Sequence, residues 1–325
     1  MRYIIFGESH GPAIGITIEN PPAGIRVDDD FITAQMLRRA PGQCSTSTAR
    51  KEADKVEILS GVYNGYTTGT PLCAVIRNTD TRSKDYEGLR VTPRPSHADY
   101  TGQLRYNGFN DVRGGGHFSG RLTAPMVFAG ALAKLALKEK GISISSVISN
   151  IGGVKDPTPE QANEIILNAK ADLDSVGGAV KCVVSGVAAG FGAPDLGMNA
   201  EGIISKYMFS IPAVKGIAFG AGFDFVNMRG SEANDAFVMD NGEVKTATNH
   251  AGGINGGITN GMPIEFEVAF RPTPSIAKKQ KTVDLDKKTD STISIEGRHD
   301  PCIVLRAAVV AEAAAALAVC ELMGI

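Results

Sequence analysis

The stretch LTAPMVFAGALAKLALKEKGISISSVI, residues 122–148, carries the reading of the fold. Leu122–Glu139 is rich in alanine and leucine and predicts a helix ended at Gly141, a residue free to take the left-handed turn that closes helices. Ile142–Ile148 then alternates apolar and polar residues, the two-residue period of a half-buried strand. Outward toward the C-terminus, Pro159–Ala171 predicts a helix with Pro and Glu in its first turn. Val180–Gly186 and Val214–Gly220 read as strands, with Asn199–Ser210 as a helix between them. Ile264–Phe270 alternates strictly, and Val304–Met323 is a long alanine-rich helix suited to burial against other helices. Toward the N-terminus, Ala13–Glu19 is a strand and Asp28–Leu37 a helix with acids at its start. Val56–Val62 and Pro71–Ile76 read as short strands joined around GYTTGT. The elements do not alternate strictly as βαβ units, and no Gly/Ser or Pro linker divides the chain. The expectation is an α+β fold in one large domain over residues 1–325.

Composition narrows the function classes. The chain has 325 residues, 43% of them hydrophobic and 21% charged, the balance of a globular protein rather than a disordered one. A formal net charge of −2 gives no footing for a general nucleic-acid or membrane binder. The longest apolar stretch, Ala307–Leu322, is interrupted by Glu312 and Glu321, so no spanning segment is expected. MRYIIFGESHG has too short an apolar run for a signal peptide. Five cysteines without a C-x-x-C pair suggest reduced thiols in a cytoplasm and no zinc site.

The basic residues are unevenly divided. Residues 1–130 hold 12 Arg and 3 Lys, whereas residues 131–325 hold 4 Arg and 14 Lys. Charge balance cannot distinguish the two types. Arginine's planar fork grips carboxylate and phosphate bidentately, whereas lysine is a solvated point charge. Surface salt bridges or a chance fluctuation are the bland alternatives. Residues 78–121 lack periodicity and are dense in Arg, Asp, Tyr, Gly, Pro and Ser, the profile of a long functional loop.

All five histidines lie in glycine-, arginine-, serine- or aspartate-bearing contexts: GESHG, RPSHADYT, RGGGHFSGR, NHAGG and GRHDP, at positions 10, 97, 117, 250 and 299. Histidine is the usual proton carrier near neutral pH. Three glycine clusters, RGGGHFSGR (113–121), NHAGGINGGITNG (249–261) and DSVGG (174–178), read either as tight turns or as backbone cradles. The first leads directly into the helix from Leu122, where an anion would be held. No P-loop occurs, and GAGFDF (220–225) is too partial for a dinucleotide fingerprint. Arg298 and Asp300 are either an N-capping pair or a base beside an anion clamp. The residues together point to an enzyme for a multiply anionic, phosphate-bearing ligand.

The chain resembles the chorismate synthase family over nearly its whole length. GESHGPAIG, RRAPGQ, EILSGVYNGYTTGTP, NTDTRSKDY, RPSHADYT, RGGGHFSGR, DSVGG, NHAGGINGG and GRHDPC stand in that family's order and approximate spacing. The resemblance implies an anti-1,4-elimination of phosphate from 5-enolpyruvylshikimate 3-phosphate, giving chorismate and requiring reduced FMN. It implies helices packed between antiparallel sheets, and a homotetramer supplied with electrons by an external flavin reductase. Carried over by position, His10 is the acid that assists phosphate departure, His97 sets the protonation of reduced flavin, and Asp300 takes a proton from the flavin ring. Arg39, Arg94, Arg121 and Arg298 are the anion clamps, with His10 and Ser119 also touching substrate. The flavin contacts are His117, Phe118, Ser119, Pro212, Ala213, Gly256, Arg271, Pro272, Thr273, Pro274, Ser275 and Arg298. Arg39 also falls where the family is thought to bind NADP, so NADPH is a candidate source of reducing equivalents. Departures from the family pattern fall at Ala40 and Ser45 in place of arginines, Ser96, the His-Phe-Ser-Gly run at 117–120, and Arg271. Two other readings remain open: a flavin reductase or other phosphate-handling flavoprotein, and a binding or assembly protein that lost the chemistry.

Overall fold

The computed structural model describes residues 2–41, 54–79, 83–295 and 300–325. Two antiparallel sheets enclose a layer of helices, as the family resemblance implies. In the first sheet Arg2–Gly7, Ala13–Glu19, Leu72–Arg77 and Val56–Ser60 lie side by side in that order. In the second the order is Val214–Phe219, Ile264–Phe270, Gly178–Ser185, Ser143–Ile151 and Val154–Lys155. The helix Thr123–Lys138 packs on the first sheet, the helix Val304–Leu322 packs on the second, and the two helices pack on each other. One hydrophobic cluster runs through both sheets and the helices between them.

Small residues set the spacing of that middle layer. A Cβ on Gly130 would stand 2.3 Å from the Ala313 Cβ, so the two long helices cross with no room for a methyl group at this point. Close approach raises packing density where alanine supplies little side-chain bulk. The exception inside the layer is Glu312, only 3% exposed. Arg38 grips it through Nη1 and Nη2 at 2.8 and 2.7 Å, and the Ser146 hydroxyl donates to it at 2.6 Å. The Lys134 ammonium adds an ion pair at 2.5 Å. Three helices and the second sheet are thereby tied to one carboxylate. Burial opposes its charge, but Arg38 and Lys134 outweigh burial and lower its pKa to about 2.

The predicted helices form close to their expected bounds. Asp29–Arg39 starts after Asp28, whose side chain accepts a hydrogen bond from the Phe31 N–H at 2.9 Å. Pro159–Ala171 forms over its expected range behind a Thr158/Gln161 capping box, which satisfies two end groups reciprocally. Three features differ from expectation. An additional strand, Arg2–Gly7, pairs with Ala13–Glu19. The predicted loop at 78–121 instead holds a helix, Asp99–Arg105, flanked by 3-10 turns at Ser83–Arg90, Arg113–Phe118 and Gly120–Leu122. These short pieces are tied to main-chain carbonyls, as where Arg90 donates to Asn110 O at 3.2 Å and Gln103 to Arg90 O at 2.7 Å. Finally, the helical stretch Gly120–Lys138 is long and apolar enough to cross a membrane, but 83% of it is buried inside the protein as core.

Candidate active site

A cleft of about 280 Å³ opens where the glycine-rich segment after residue 113, the 271–275 segment and the start of the last helix converge. Its entrance is built on consecutive left-handed glycines. Gly114, Gly115 and Gly116 have φ of 61°, 83° and 54°. A Cβ on Gly114 would sit 2.5 Å from the His10 ring, and one on Gly116 would sit 2.0 Å from the Asp111 carbonyl. Without side chains the segment lies flat on the GESHG turn, joined to it by Ser9 N–H to Gly116 O at 3.1 Å. His10 is consequently buried, its ring packed edge-on against Tyr86 with 5.2 Å between centroids. Tyr86 and Gly114 in turn line the cleft.

Arginines dominate one wall. Arg39 and Arg121 are almost wholly buried and share Asp54, through Arg39 Nη1 at 2.7 Å and Arg121 Nη1 at 2.5 Å. Arg39 also donates to Thr123 Oγ1 at 3.2 Å and Gly120 O at 3.1 Å. Burial and the neighbouring Arg306 lower its pKa to about 10, so it is a cation at neutral pH. Burial works against the Asp54 charge, but Arg39 and Arg121 together hold that carboxyl below the usual range. Arg121 Nε donates to Asn78 Oδ1 at 2.8 Å, and Asn78 Nδ2 reaches the Glu8 and Gly11 carbonyls at 3.0 and 2.8 Å. One asparagine thus registers the arginine pair against the His10 turn. Arg306, in the first turn of the last helix, pairs with Asp300 at 2.5 Å and donates to the Arg39 carbonyl at 2.8 Å.

The opposite wall is the 271–275 segment. Ser175 Oγ donates to Thr273 O at 2.7 Å, and Arg271 N–H donates to Ala213 O at 3.0 Å. The DSVGG turn must pass close beneath, since a Cβ on Gly177 would lie 2.5 Å from the Phe270 carbonyl. Burial lowers the Arg271 pKa without removing its charge at neutral pH. The Thr273 hydroxyl is buried with no hydrogen-bond partner among the described residues. Apolar side chains, Phe118, Ile211, Pro212, Phe270, Ile303 and Val310, complete the lining.

Among the residues expected from sequence, the cleft brings together Arg39, Arg94, His97, Phe118, Ser119, Arg121, Pro212, Ala213, Arg271, Thr273, Pro274, Ser275 and Asp300. His10 stands just behind Gly114 and Tyr86. Pro272 does not reach the lining. His117 turns the other way, its Nδ1 2.9 Å from Gly7 O, and Gly256 sits in the exposed turn between Ile254–Asn255 and Ile258–Thr259. Arg298, Ser45 and His299 lie outside the described residues. Phe118 packs on the Asp99–Arg105 helix, where a Cβ on Gly102 would come within 2.7 Å of its ring. Sequence reasoning missed Asp54, Tyr86, Asp99 and Arg306. Arg306 offered a signal: the helix dipole disfavours a cation in a first turn, so one placed there needs a compensating partner.

The comparisons with known proteins agree on one family. The family profile described as chorismate synthase matches residues 1–323. Proteins named chorismate synthase from Chitinophaga pinensis and Korarchaeum cryptofilum are 48% and 44% identical, each alignment covering 99% of this chain and 94% and 95% of theirs. The relative of that name from Thermococcus gammatolerans is 46% identical over 99% of this chain and 95% of its own. A crystal structure of chorismate synthase superposes with a TM-score of 0.76 at 28% identity, covering 99% of this chain and 91% of the other.

Proposed function

Because the chain belongs to the chorismate synthase family, we propose that its arginine-walled cleft holds the phosphate ester and the flavin together. The reaction is the conversion of 5-enolpyruvylshikimate 3-phosphate to chorismate in the shikimate pathway, and it requires reduced FMN. The observation that carries the site assignment is the convergence of Arg39, Arg121, Arg271, Arg306, His97 and Asp300 on one cleft with an apolar floor. Two carboxylates and a phosphate need several charge-assisted hydrogen bonds to leave water, which such a wall supplies.

The residues present fit a flavin. A flat ring suits the apolar lining, and the Thr273 hydroxyl, in the segment that would hold it, has no hydrogen-bond partner among the described residues. The holding groups in this reading are Phe118, Ser119, Pro212, Ala213 and Arg271–Ser275. When bound, reduced FMN supplies a transient electron with no net redox change. The chain's own share is positioning, proton handling and exclusion of water. His10 donates a proton to the departing phosphate. Asp300, oriented by Arg306 at 2.5 Å, would take a proton from the flavin ring, and His97 would hold the proton balance at the flavin.

Anaerobic turnover with dithionite-reduced FMN, followed by phosphate release and chorismate absorbance, tests this reading. Product is expected, and its absence with flavin shown to bind would sink it. NADPH alone is expected to support no turnover. Position 40, beside Arg39, is an alanine where the family pattern carries an arginine, so one cation expected for NADP is absent. An external flavin reductase therefore completes the system in this reading, in a cytoplasm.

A homotetramer also belongs to the proposal. Phe237 and Met239 share one face of the Phe237–Asp240 strand, 72% and 70% exposed, with Val244 opposite Met239. Phe223 and Val226 are exposed on the Gly222–Asn227 turn. Exposed apolar surface of this kind marks contact between chains. Light scattering is expected to return four chains per particle, and a monomer at micromolar concentration would remove this part of the proposal.

A further inference from the structure

The RPSHADYT segment gathers an arginine, a histidine and an aspartate into one buried cluster at the edge of the cleft. Asp99 is 3% exposed. Its Oδ2 accepts from the Arg94 backbone N–H at 3.0 Å and from Arg94 Nε at 2.7 Å. Its Oδ1 accepts from Arg94 Nη2 at 2.7 Å and stands 2.7 Å from His97 Nδ1. The remaining Arg94 nitrogen, Nη1, donates to the Ser275 hydroxyl at 3.0 Å. Arg94 Nη2 also lies 3.0 Å from His97 Nδ1.

These contacts make opposite demands on His97. A guanidinium nitrogen can only donate and an ionised carboxylate can only accept. A bare Nδ1 could take a proton from Arg94, but its lone pair would then face Oδ1 at 2.7 Å inside the protein. Desolvated repulsion of that kind costs more than the weaker bond to Arg94 returns. A protonated Nδ1 removes the conflict, because His97 and Arg94 then both donate to the same Oδ1.

We infer that Asp99 is a positioning residue that locks neutral His97 in the Nδ1–H tautomer and leaves its Nε2 as the working atom. Arg94 is then the counter-ion of Asp99, every nitrogen of its guanidinium engaged inside the protein. The Cε1–Nε2 edge of His97 lies beside Gly115, 3.4 Å from where a Cβ would stand, on a ring that lines the cleft. A proton taken up by His97 forms an Nε2–H bond, and the same bond breaks when the proton is returned. The Nδ1–H bond is kept throughout. Burial opposes the Asp99 charge, but Arg94 and His97 keep that carboxyl well below the usual carboxylate range, so it orients rather than exchanges protons. Burial, with the charges of Arg94 and Arg271, holds the His97 pKa down against the pull of Asp99, so the ring waits in its neutral form. The same division of labour, an aspartate fixing a histidine tautomer without itself taking the proton, serves hydrolytic triads.

The chemical consequence rests on the reading of His97 given above, and the test separates the two. Histidine nitrogen NMR on the flavin-free, wild-type protein, at a pH where the ring is neutral, is expected to show His97 protonated at Nδ1. The signal is assigned by its loss in His97→Asn. An Nε2–H tautomer would overturn the inference outright, and no Asp99 variant has to fold for this result. Asp99→Asn is expected to switch His97 to Nε2–H and to lower kcat by about 10²-fold or more, with the substrate KM little changed. Asp99→Glu, which restores a carboxylate, is expected to recover part of the loss. A folded Asp99→Asn protein with His97 still protonated at Nδ1 also overturns the positioning role. Full turnover in His97→Asn would instead remove the flavin role of His97 and leave the tautomer result standing.

Discussion

His10→Ala is expected to slow turnover by about 10²-fold or more while substrate and flavin still bind. Phosphate is a poor leaving group when it departs without a proton, so a positioned acid at the breaking bond lowers the barrier. His10 borders the cleft through two of its lining residues, Gly114 against one edge of the ring and Tyr86 packed edge-on. Removing the imidazole leaves the cation wall of Arg39, Arg121 and Arg306 in place, and in the proposed reading that wall carries the substrate's negative charge. Equilibrium titration of the substrate into the variant, beside single-turnover phosphate release, separates the two contributions. If affinity collapses and the rate of bound substrate does not, His10 belongs with the anion clamps.

Glu312→Ala is expected to cost roughly 3–5 kcal/mol of unfolding free energy, the scale for removing one partner of a buried ion pair. The variant leaves Lys134 charged with its side chain only 11% exposed, and Arg38 loses a bidentate partner. Urea unfolding, read by circular dichroism, measures the difference. A loss below about 1 kcal/mol, the scale of an exposed pair, would mean that water reaches the site. The pH dependence has a definite sign. Folding lowers the Glu312 pKa from 4.5 to about 2, so its contribution is full above the unfolded value and is lost as pH falls through that interval. Wild-type stability is therefore expected to fall more steeply than that of the variant between about pH 4.5 and 2.

Long periodic elements were legible in the sequence because their own residues determine them. The helix Pro159–Ala171 carries its capping box, and Ile264–Phe270 alternates as a central strand should. The elements inside 78–121 were not legible, since they are held by distant partners. Arg90 reaches carbonyls beyond residue 105, and Thr282 reaches back to Pro93 O at 2.6 Å. The candidate site divides along the same line. Histidines and arginines beside glycine declared themselves, whereas the carboxylates that organise them did not. Asp54 follows KEA and reads as one more solvated charge, yet it joins two arginines far apart in sequence. Asp99 stands inside the 78–121 stretch, where no periodicity marks it off from the other acids. His117 illustrates the converse: its neighbours 118 and 119 face the cleft, while its ring reaches Gly7 instead.

The last helix, Val304–Leu322, joins both halves of the molecule. Ile303, Arg306, Ala307 and Val310 line the cleft, and Arg306 fastens the Arg39 carbonyl. Farther along the same helix, Ala313 meets Gly130 and Glu312 anchors the ion cluster. During synthesis this segment leaves the ribosome after every other described element. A growing chain can form its first sheet early, but it has no cleft floor and no complete arginine wall until Val304–Leu322 has been made. The cleft is therefore completed in one step, by that helix, rather than by degrees.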